Sequence, residues 1–373
     1  MPEFHLDALR RWPDIEGADL VAVDATDRLL LDDAAATLAG TGPGDVVTIG
    51  DRYGALTLGA VALHGARDVR SHQDLRSAEL ALAENARRFG LDVHPGGLDA
   101  TTLAGARVVL LQLPRSLDAL DEVAALVSEH ADPGVRLFAG GRIKHMTLAM
   151  NDVLARWFTV VEPQRARQKS RVLVASVPAS DRPPSAWPAS QRHDDLGLTV
   201  CAHGAAFAGT RIDVGTRLLL GVLDQAAPDA VTAVDLGCGT GVLATALATR
   251  RAAVHVVATD DSAAAVASAA ATARANGVAD RVRAVQDDAA GSLPDASVDL
   301  VLLNPPFHVG ATVHTGVAHK LFEAAARVLQ PGGELWTVWN SHLQYRPALE
   351  RTVGPTRQVV RDPKFTVAVS TRR

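Results

Sequence analysis

Two cysteines in 373 residues, Cys201 and Cys238, leave no material for a disulfide framework, and neither belongs to a metal-ligating spacing. No uncharged apolar run approaches the roughly 20 residues needed to span a bilayer. Met1-Pro2-Glu3-Phe4 lacks the basic start and apolar core of a signal peptide, so a cytoplasmic protein is expected, with no membrane partner. Lysine is scarce: Lys144, Lys169, Lys320 and Lys364 are the whole set, and arginine carries nearly all the positive charge. A net charge of −5 argues against a generic polyanion binder, although an acidic average still permits one basic face. His308, His314 and His319 fit no common metal motif and have no accompanying acid, so no metal is expected.

At roughly 100–200 residues per domain the length suggests two domains. The sharpest composition break is Pro178–Pro188, where four prolines in eleven residues exclude a helix or a central strand. The expected organisation is a first domain over 1–178, a linker over 179–194 and a second domain over 195–373. In the second half, strand-like and helix-like segments alternate: Ala230–Leu236, Gly241–Arg250, Val254–Asp260, Ala263–Asn276, Val282–Val285, Val298–Leu303, His319–Leu329, Glu334–Trp339 and Phe365–Ser370. This order predicts an α/β fold with a doubly wound, mostly parallel sheet. The first half repeats it faintly. Gly50 pairs with Gly237, Gln112 with Asn304 and Pro133 with Pro331, at offsets of 187, 192 and 198 residues, as expected of a duplication with small insertions.

Two motifs carry chemistry. Val234-Asp235-Leu236-Gly237-Cys238-Gly239-Thr240-Gly241 is a strand breaking into a glycine-rich turn and then a helix, which lets backbone approach a ligand closely. Such a turn alone also fits a dinucleotide site. Asp235 lies within the strand, where a carboxylate can hold a cationic amino-acid moiety through water or backbone groups. Asp260, followed by Asp261, ends the next strand, about 20 residues on, where an acid accepts ribose hydroxyls. Asp287-Asp288 follows the third strand, within reach of an adenine amine. The fourth strand runs into Asn304-Pro305-Pro306-Phe307, 67 residues after Gly237. An exocyclic amine is a poor nucleophile because its lone pair is delocalised into the ring. Acceptance of its hydrogens by Asn304 Oδ1 and the Pro305 carbonyl would localise that lone pair, which is catalysis by orientation and electrostatics. Pro306 stiffens the loop, and Phe307 offers a face for base stacking. The set points to S-adenosyl-L-methionine as methyl donor, with S-adenosyl-L-homocysteine as product. By itself it leaves adenine N6, protein glutamine and guanine open as targets.

The C-terminal half resembles the RsmC/RlmG-type ribosomal RNA guanine-N2 methyltransferases. The resemblance is carried by Phe207–Leu220 (FAGTRIDVGTRLLL), VDLGCGTGVLA, Asp260 and Ser262 in TDDSAAAV, NPPFH ending at His308, GGEL at Gly332–Leu335, NSHLQY at Asn340–Tyr345, and Lys364-Phe365. It covers residues 195–373, and the last two segments favour the large-subunit type. The first half fits more loosely, through Tyr53-Gly54-Ala55-Leu56 and Arg142 to Arg171. The resemblance implies two tandem Rossmann-like methyltransferase domains, of which only the second binds S-adenosylmethionine, with ribosomal RNA as partner. It also implies that Phe207 and Asp213 close over the cofactor. The first domain reads as degenerate: Arg52 stands at the place of Gly239, Thr48 at that of Asp235, and Gln112-Leu113-Pro114 replaces Asn304-Pro305-Pro306. Its Arg165, Arg167, Lys169 and Arg171 alternate with period two, which would place them on one face of a strand, near Arg142, Lys144 and His145. This local basic patch suits a phosphate backbone. The alternatives are an adenine-N6 or glutamine methyltransferase, or a non-catalytic RNA-binding assembly factor.

Overall fold

The computed structural model describes residues 3–14, 16–17, 20–306 and 315–373. The chain divides into two compact units, Met1–Trp187 and Pro188–Arg373.

The first unit is built on strands β1 (Val46–Ile49), β2 (Arg70–His72), β3 (His94–Pro95), β4 (Val108–Gln112), β5 (Arg136–Arg142), β6 (Phe158–Pro163) and β7 (Ser170–Pro178). Their order in the sheet is β3-β2-β1-β4-β5-β7-β6. The first five are parallel, and β7 and β6 close the sheet antiparallel. Period-two alternation puts Val47, Ile49, Val109 and Leu111 into one core and Val46, Val108 and Leu110 into the other. Both faces are therefore apolar, which is why β1 and β4 read as continuous hydrophobic runs. Helix Ala25–Leu38, which precedes β1, begins with a capping box: the Asp24 side chain accepts from the Thr26 and Asp27 N–H groups, and Asp27 returns a bond to the Asp24 N–H.

The second unit opens with a hairpin, β8 (Ala189–His193) and β9 (Leu198–Ala202), and continues through β10 (Thr232–Leu236), β11 (His255–Asp260), β12 (Val282–Gln286), β13 (Val298–Leu303), β14 (Leu329–Asn340), β15 (Thr356–Arg361) and β16 (Phe365–Thr371). The sheet order is β12-β11-β10-β13-β14-β16-β15, the first unit's order again. Val234, Leu236, Val301 and Leu303 enter one core, and Ala233, Leu300, Leu302 and Trp336 the other. The sheet grows in opposite directions from β10 and β13. The crevice at their carboxyl ends is therefore the topological switch point, where open α/β sheets bind ligands.

Two expectations change. The prolines do keep 179–188 free of helix and strand, but the linker does not extend to 194, because Ala189–His193 is strand β8 of the second unit. The hairpin is held by side chains of helix Ala263–Ala275 and the residue after it: Thr272 Oγ1 accepts from the Cys201 N–H at 3.0 Å, and Asn276 Oδ1 from the Thr199 N–H at 2.9 Å. The expected strand face bearing Arg165, Arg167, Lys169 and Arg171 does not exist. Only Arg171 lies in a strand. Gln168 and Lys169 both have positive φ, 48° and 61°, and Arg167 and Ser170 exchange N–H···O bonds of 2.9 and 2.8 Å around them. The segment is a two-residue hairpin turn of left-handed residues, which reverses the chain in the middle of the alternation.

Candidate active site

The carboxyl ends of β10, β11, β12 and β13 bring the predicted residues of the second unit to one edge. Gly237, Gly239 and Gly241 all have positive φ, at 73°, 53° and 72°. A Cβ at Gly237 or Gly239 would meet nothing within 4 Å, so the turn presents bare backbone to open space. At Gly241 it would strike Ala269 Cβ at 2.7 Å, which makes that glycine a helix-packing requirement. Asp260 fixes the turn: its Oδ2 accepts from the Gly239 N–H at 2.9 Å and its Oδ1 from the Ser262 N–H at 3.0 Å. Asp261 follows, and its carbonyl accepts from Gln286 Nε2 at 3.1 Å.

Asp235 is buried, and its Oδ2 accepts from the Ala244 N–H at 2.9 Å. Burial raises its carboxyl to about 7, against the Ala244 N–H, which holds it down, and with a smaller push from the charge of Asp260. Burial likewise pushes the Cys238 thiol well above its ordinary value, helped by Asp260 and Asp235. Asp287 and Asp288 are engaged locally. Asp287 Oδ2 accepts from the Ser292 N–H at 2.9 Å and from its hydroxyl at 2.6 Å, and Asp288 forms an ion pair with Lys320 at 2.6 Å. Phe207 lies in the segment after β9 and is 76% exposed. The bare glycine backbone, the carboxylate beneath it at Asp260 and the buried Asp235 fit an adenosyl amino-acid cofactor in donor type and in space.

Asn304 ends β13. Its Nδ2 donates to Asp213 Oδ2 at 3.1 Å and to Thr216 Oγ1 at 3.0 Å. Both amide hydrogens are thereby used. Its Oδ1 is buried and has no hydrogen-bond partner among the described residues. A buried unpaired carbonyl costs about 1–3 kcal/mol, a cost relieved by any donor brought to it. Pro305 is buried and Pro306 exposed, while Phe307, His308 and His314 lie outside the described residues. Asp213 therefore meets Asn304, whereas its expected place was over the cofactor. Thr216, three residues on, was not singled out in the sequence. Among the described residues no group of three or more His, Cys, Asp or Glu is placed to hold a metal ion, and no helix is long and apolar enough to cross a membrane.

The first unit keeps the turn but loses the ligand-facing chemistry. Gly50, Arg52 and Gly54 have φ of 73°, 55° and 94°, nearly those of Gly237, Gly239 and Gly241. Gln73 replaces Asp260, its Oε1 accepting from the Arg52 N–H at 3.0 Å. Thr48 replaces Asp235 and pairs with Thr57 Oγ1 at 2.6 Å. Tyr53 is buried and donates to Asp14 at 2.5 Å, with Arg11 stacked 4.9 Å from its ring. The amino-terminal segment is thereby tied to the residue after Arg52. The carboxyl ends of β4 and β5 carry Arg115, Arg142, Lys144 and His145. Arg115 approaches His145 at 3.5 Å and follows Gln112 by three residues, as Phe307 follows Asn304. His145 is held below its ordinary value by desolvation and then by Arg115, Lys144 and Arg142. The β5–β7 pairing sets Arg142 beside Ser170 and Gly141 beside Arg171. Arg165, Lys169 and Arg171 are exposed, while Arg167 is ion-paired with Asp33 at 2.5 Å and Asp32 at 3.7 Å, and Arg142 lies 3.9 Å from Asp24.

Residues 197–369 match the Methyltransferase small domain family, and residues 2–179 match the RLMG N-terminal domain family. The chain is 35% identical to the ribosomal RNA large subunit methyltransferase G of Streptomyces coelicolor, with 96% of each chain covered. It is 34% identical to the protein of the same name from Pseudomonas aeruginosa strain PAO1, covering 98% of this chain and 97% of that one. Among solved structures, the 16S rRNA N2 methyltransferase RsmC of T. thermophilus, in complex with AdoMet and guanosine, shares the fold over 94% of this chain and 92% of that one, with a TM-score of 0.74 and 24% identity. With both halves matched and near-complete coverage of its relatives, the chain belongs to the ribosomal RNA large subunit methyltransferase G family.

Proposed function

We propose that this protein transfers a methyl group from S-adenosylmethionine to the exocyclic N2 amine of a guanine in ribosomal RNA, of the large subunit as in its named relatives. The observation that carries the proposal is Asn304: an amide whose two hydrogens are bound and whose buried Oδ1 has no partner among the described residues, at the strand end beside the glycine turn. Asn304 Oδ1 and the Pro305 carbonyl accept the amine hydrogens and localise the nitrogen lone pair, and no strong general base is required. Gly237, Cys238, Gly239 and Gly241 supply the backbone cradle, Asp235 and Asp260 the amino-acid and ribose contacts, with Asp261 alongside, and Asp287 and Asp288 flank the adenine. Bound there, S-adenosylmethionine would supply an electrophilic methyl on a sulfonium, whose sulfur becomes the thioether of S-adenosylhomocysteine. The nitrogen, cationic once methylated, releases one proton to solvent. A guanine that is paired in its native context must be swung out of its stack to reach Asn304.

The first unit grips the RNA. Arg115, Arg142, Lys144 and His145 form a basic edge at its strand ends, joined by Arg165, Lys169 and Arg171, against a chain of net charge −5. A ribosomal RNA substrate supports the cytoplasm as the site of action. Incubation of purified protein with methyl-labelled S-adenosylmethionine and ribosomal RNA lacking the modification tests the reading. Label recovered as N2-methylguanosine is expected. Label in N6-methyladenosine, or none in RNA, contradicts it.

A further inference from the structure

Asn304 works as an acceptor only if its amide is held the right way round. A flip would exchange Oδ1 and Nδ2 with little change of shape. We infer that Asp213, assisted by Thr216, is a positioning residue for the transfer: its carboxylate fixes the Asn304 amide and strengthens Oδ1 as the acceptor of the substrate amine. This rests on the reading above, in which Asn304 receives that amine.

Three features carry the inference. First, Asp213 Oδ2 and Thr216 Oγ1 take both Nδ2 hydrogens, at 3.1 and 3.0 Å. In the flipped orientation the carbonyl oxygen would face a carboxylate oxygen, a repulsive contact. Second, Asp213 is itself fixed. It caps helix Val214–Leu220, its Oδ2 accepting from the Gly215 N–H at 2.9 Å and the Thr216 N–H at 3.3 Å. The cap ties the acceptor to backbone, so the Asn304 amide inherits the rigidity of a helix start packed on the sheet. Third, the bond is polarising. An anionic acceptor on the amide nitrogen shifts electron density toward Oδ1, and in a buried site such chains of hydrogen bonds strengthen one another. As the substrate nitrogen gains positive charge during transfer, the negative charge one amide away stabilises it, which a neutral partner would not do.

The first unit supplies an independent comparison. There Gln112 Nε2 donates to Asp27 Oδ1, so an amide at the end of the fourth strand again meets a carboxylate in the first turn of the helix preceding the sheet. The amide is one methylene longer and its acceptor lies three residues into the helix, at the place of Thr216 and not of the capping residue. The amide–carboxylate junction persists with a longer amide and a different helix position as its acceptor.

The full chain is tested as wild type, Asp213→Asn, Thr216→Val and Thr216→Ser, with methyl transfer to ribosomal RNA and calorimetric S-adenosylmethionine affinity measured on each. Asp213→Asn keeps an oxygen for the helix cap but removes the charge. Its kcat is expected to fall roughly 10–100-fold while the cofactor Kd and the RNA KM stay within about threefold. Thr216→Val is expected to lose several-fold in kcat, and Thr216→Ser, which keeps the hydroxyl, to recover most of that loss. An Asp213→Asn kcat within about twofold of wild type overturns the inference. So does a loss that tracks cofactor Kd, which would return Asp213 to the cofactor site. A wild-type protein inactive on ribosomal RNA overturns instead the function proposed above, and the inference with it.

Discussion

The two units share one strand order, nearly one set of turn dihedrals and one amide–carboxylate junction, yet only the second presents a cofactor cradle. At the turn, what separates them is a handful of side chains on nearly the same backbone dihedrals. Arg52 adopts φ 55° where Gly239 adopts 53°, a conformation that costs a side-chain-bearing residue about 1 kcal/mol or more. The frame tolerates that cost because the turn is locked from outside, by Gln73 in one unit and Asp260 in the other. Loss of ligand binding therefore needs no loss of fold. In the first unit a Cβ stands at the turn, a neutral Gln73 stands at the place of Asp260, and Tyr53 is bound to Asp14.

The contrast can be pressed in three ways. Gly239→Arg, copying the first unit, should produce the largest effect. An added Cβ there meets nothing within 4 Å, and its φ of 53° is one that Arg52 already adopts in the first unit, so the variant is expected to fold at a cost of about 1 kcal/mol while its side chain crosses the cradle. S-adenosylmethionine affinity by calorimetry is expected to fall by roughly 100-fold or more. The reciprocal Arg52→Gly is expected to gain no binding, because Gln73, Thr48 and the Tyr53–Asp14 bond remain. Unaltered affinity in Gly239→Arg would mean that the cofactor does not lie over this turn.

Charge reversal in the first unit comes second. Arg115, Arg142 and Lys144 changed together to glutamate are expected to weaken RNA binding by roughly 10–100-fold and to flatten its salt dependence, with cofactor affinity unchanged. Arg167→Glu alone should do much less to RNA, since Arg167 already neutralises Asp32 and Asp33. Equal effects of the two would shift the contact surface to the β6–β7 turn.

The smallest effect is on stability. Burial raises Asp27 to about 7, with the charges of Asp51 and Asp24 adding to it and the backbone bond to Asp24 opposing. Its folded value lies above its unfolded one, so between about pH 4 and pH 7 the native state holds the proton more tightly, and stability falls as pH rises through that window. Asp27→Asn, which mimics the protonated form, is expected to reduce by a few degrees the drop in thermal midpoint between about pH 5 and pH 8. An unchanged pH profile would show that Asp27 does not titrate across this range.

Much of this contrast is legible in the sequence, for physical reasons. A parallel strand buried on both faces leaves a run such as Val298–Leu303, and a turn needing three positive φ values leaves Gly237, Gly239 and Gly241. Other features leave no such trace. β15, Thr356–Arg361, is an edge strand with polar residues at most positions and reads as loop. The turn at Gln168-Lys169 uses left-handed residues without glycine, so its alternating charges imitate a strand. β8 is exposed along most of its length and is defined by its pairing with β9 rather than by its own pattern. The Asn304 partners lie 91 and 88 residues upstream, and no local signal links a helix cap to a distant strand end. Side chains that meet only through the sheet's winding are the part that sequence periodicity does not encode.

The most direct test is nucleoside mass spectrometry of ribosomal RNA from cells that lack this gene, complemented with the wild-type chain or with Asn304→Ala. One N2-methylguanosine should disappear on deletion, return with the wild type and stay absent with Asn304→Ala, although that variant still binds S-adenosylmethionine. An unchanged methylguanosine content on deletion, or its full restoration by Asn304→Ala, would contradict the assignment of this site.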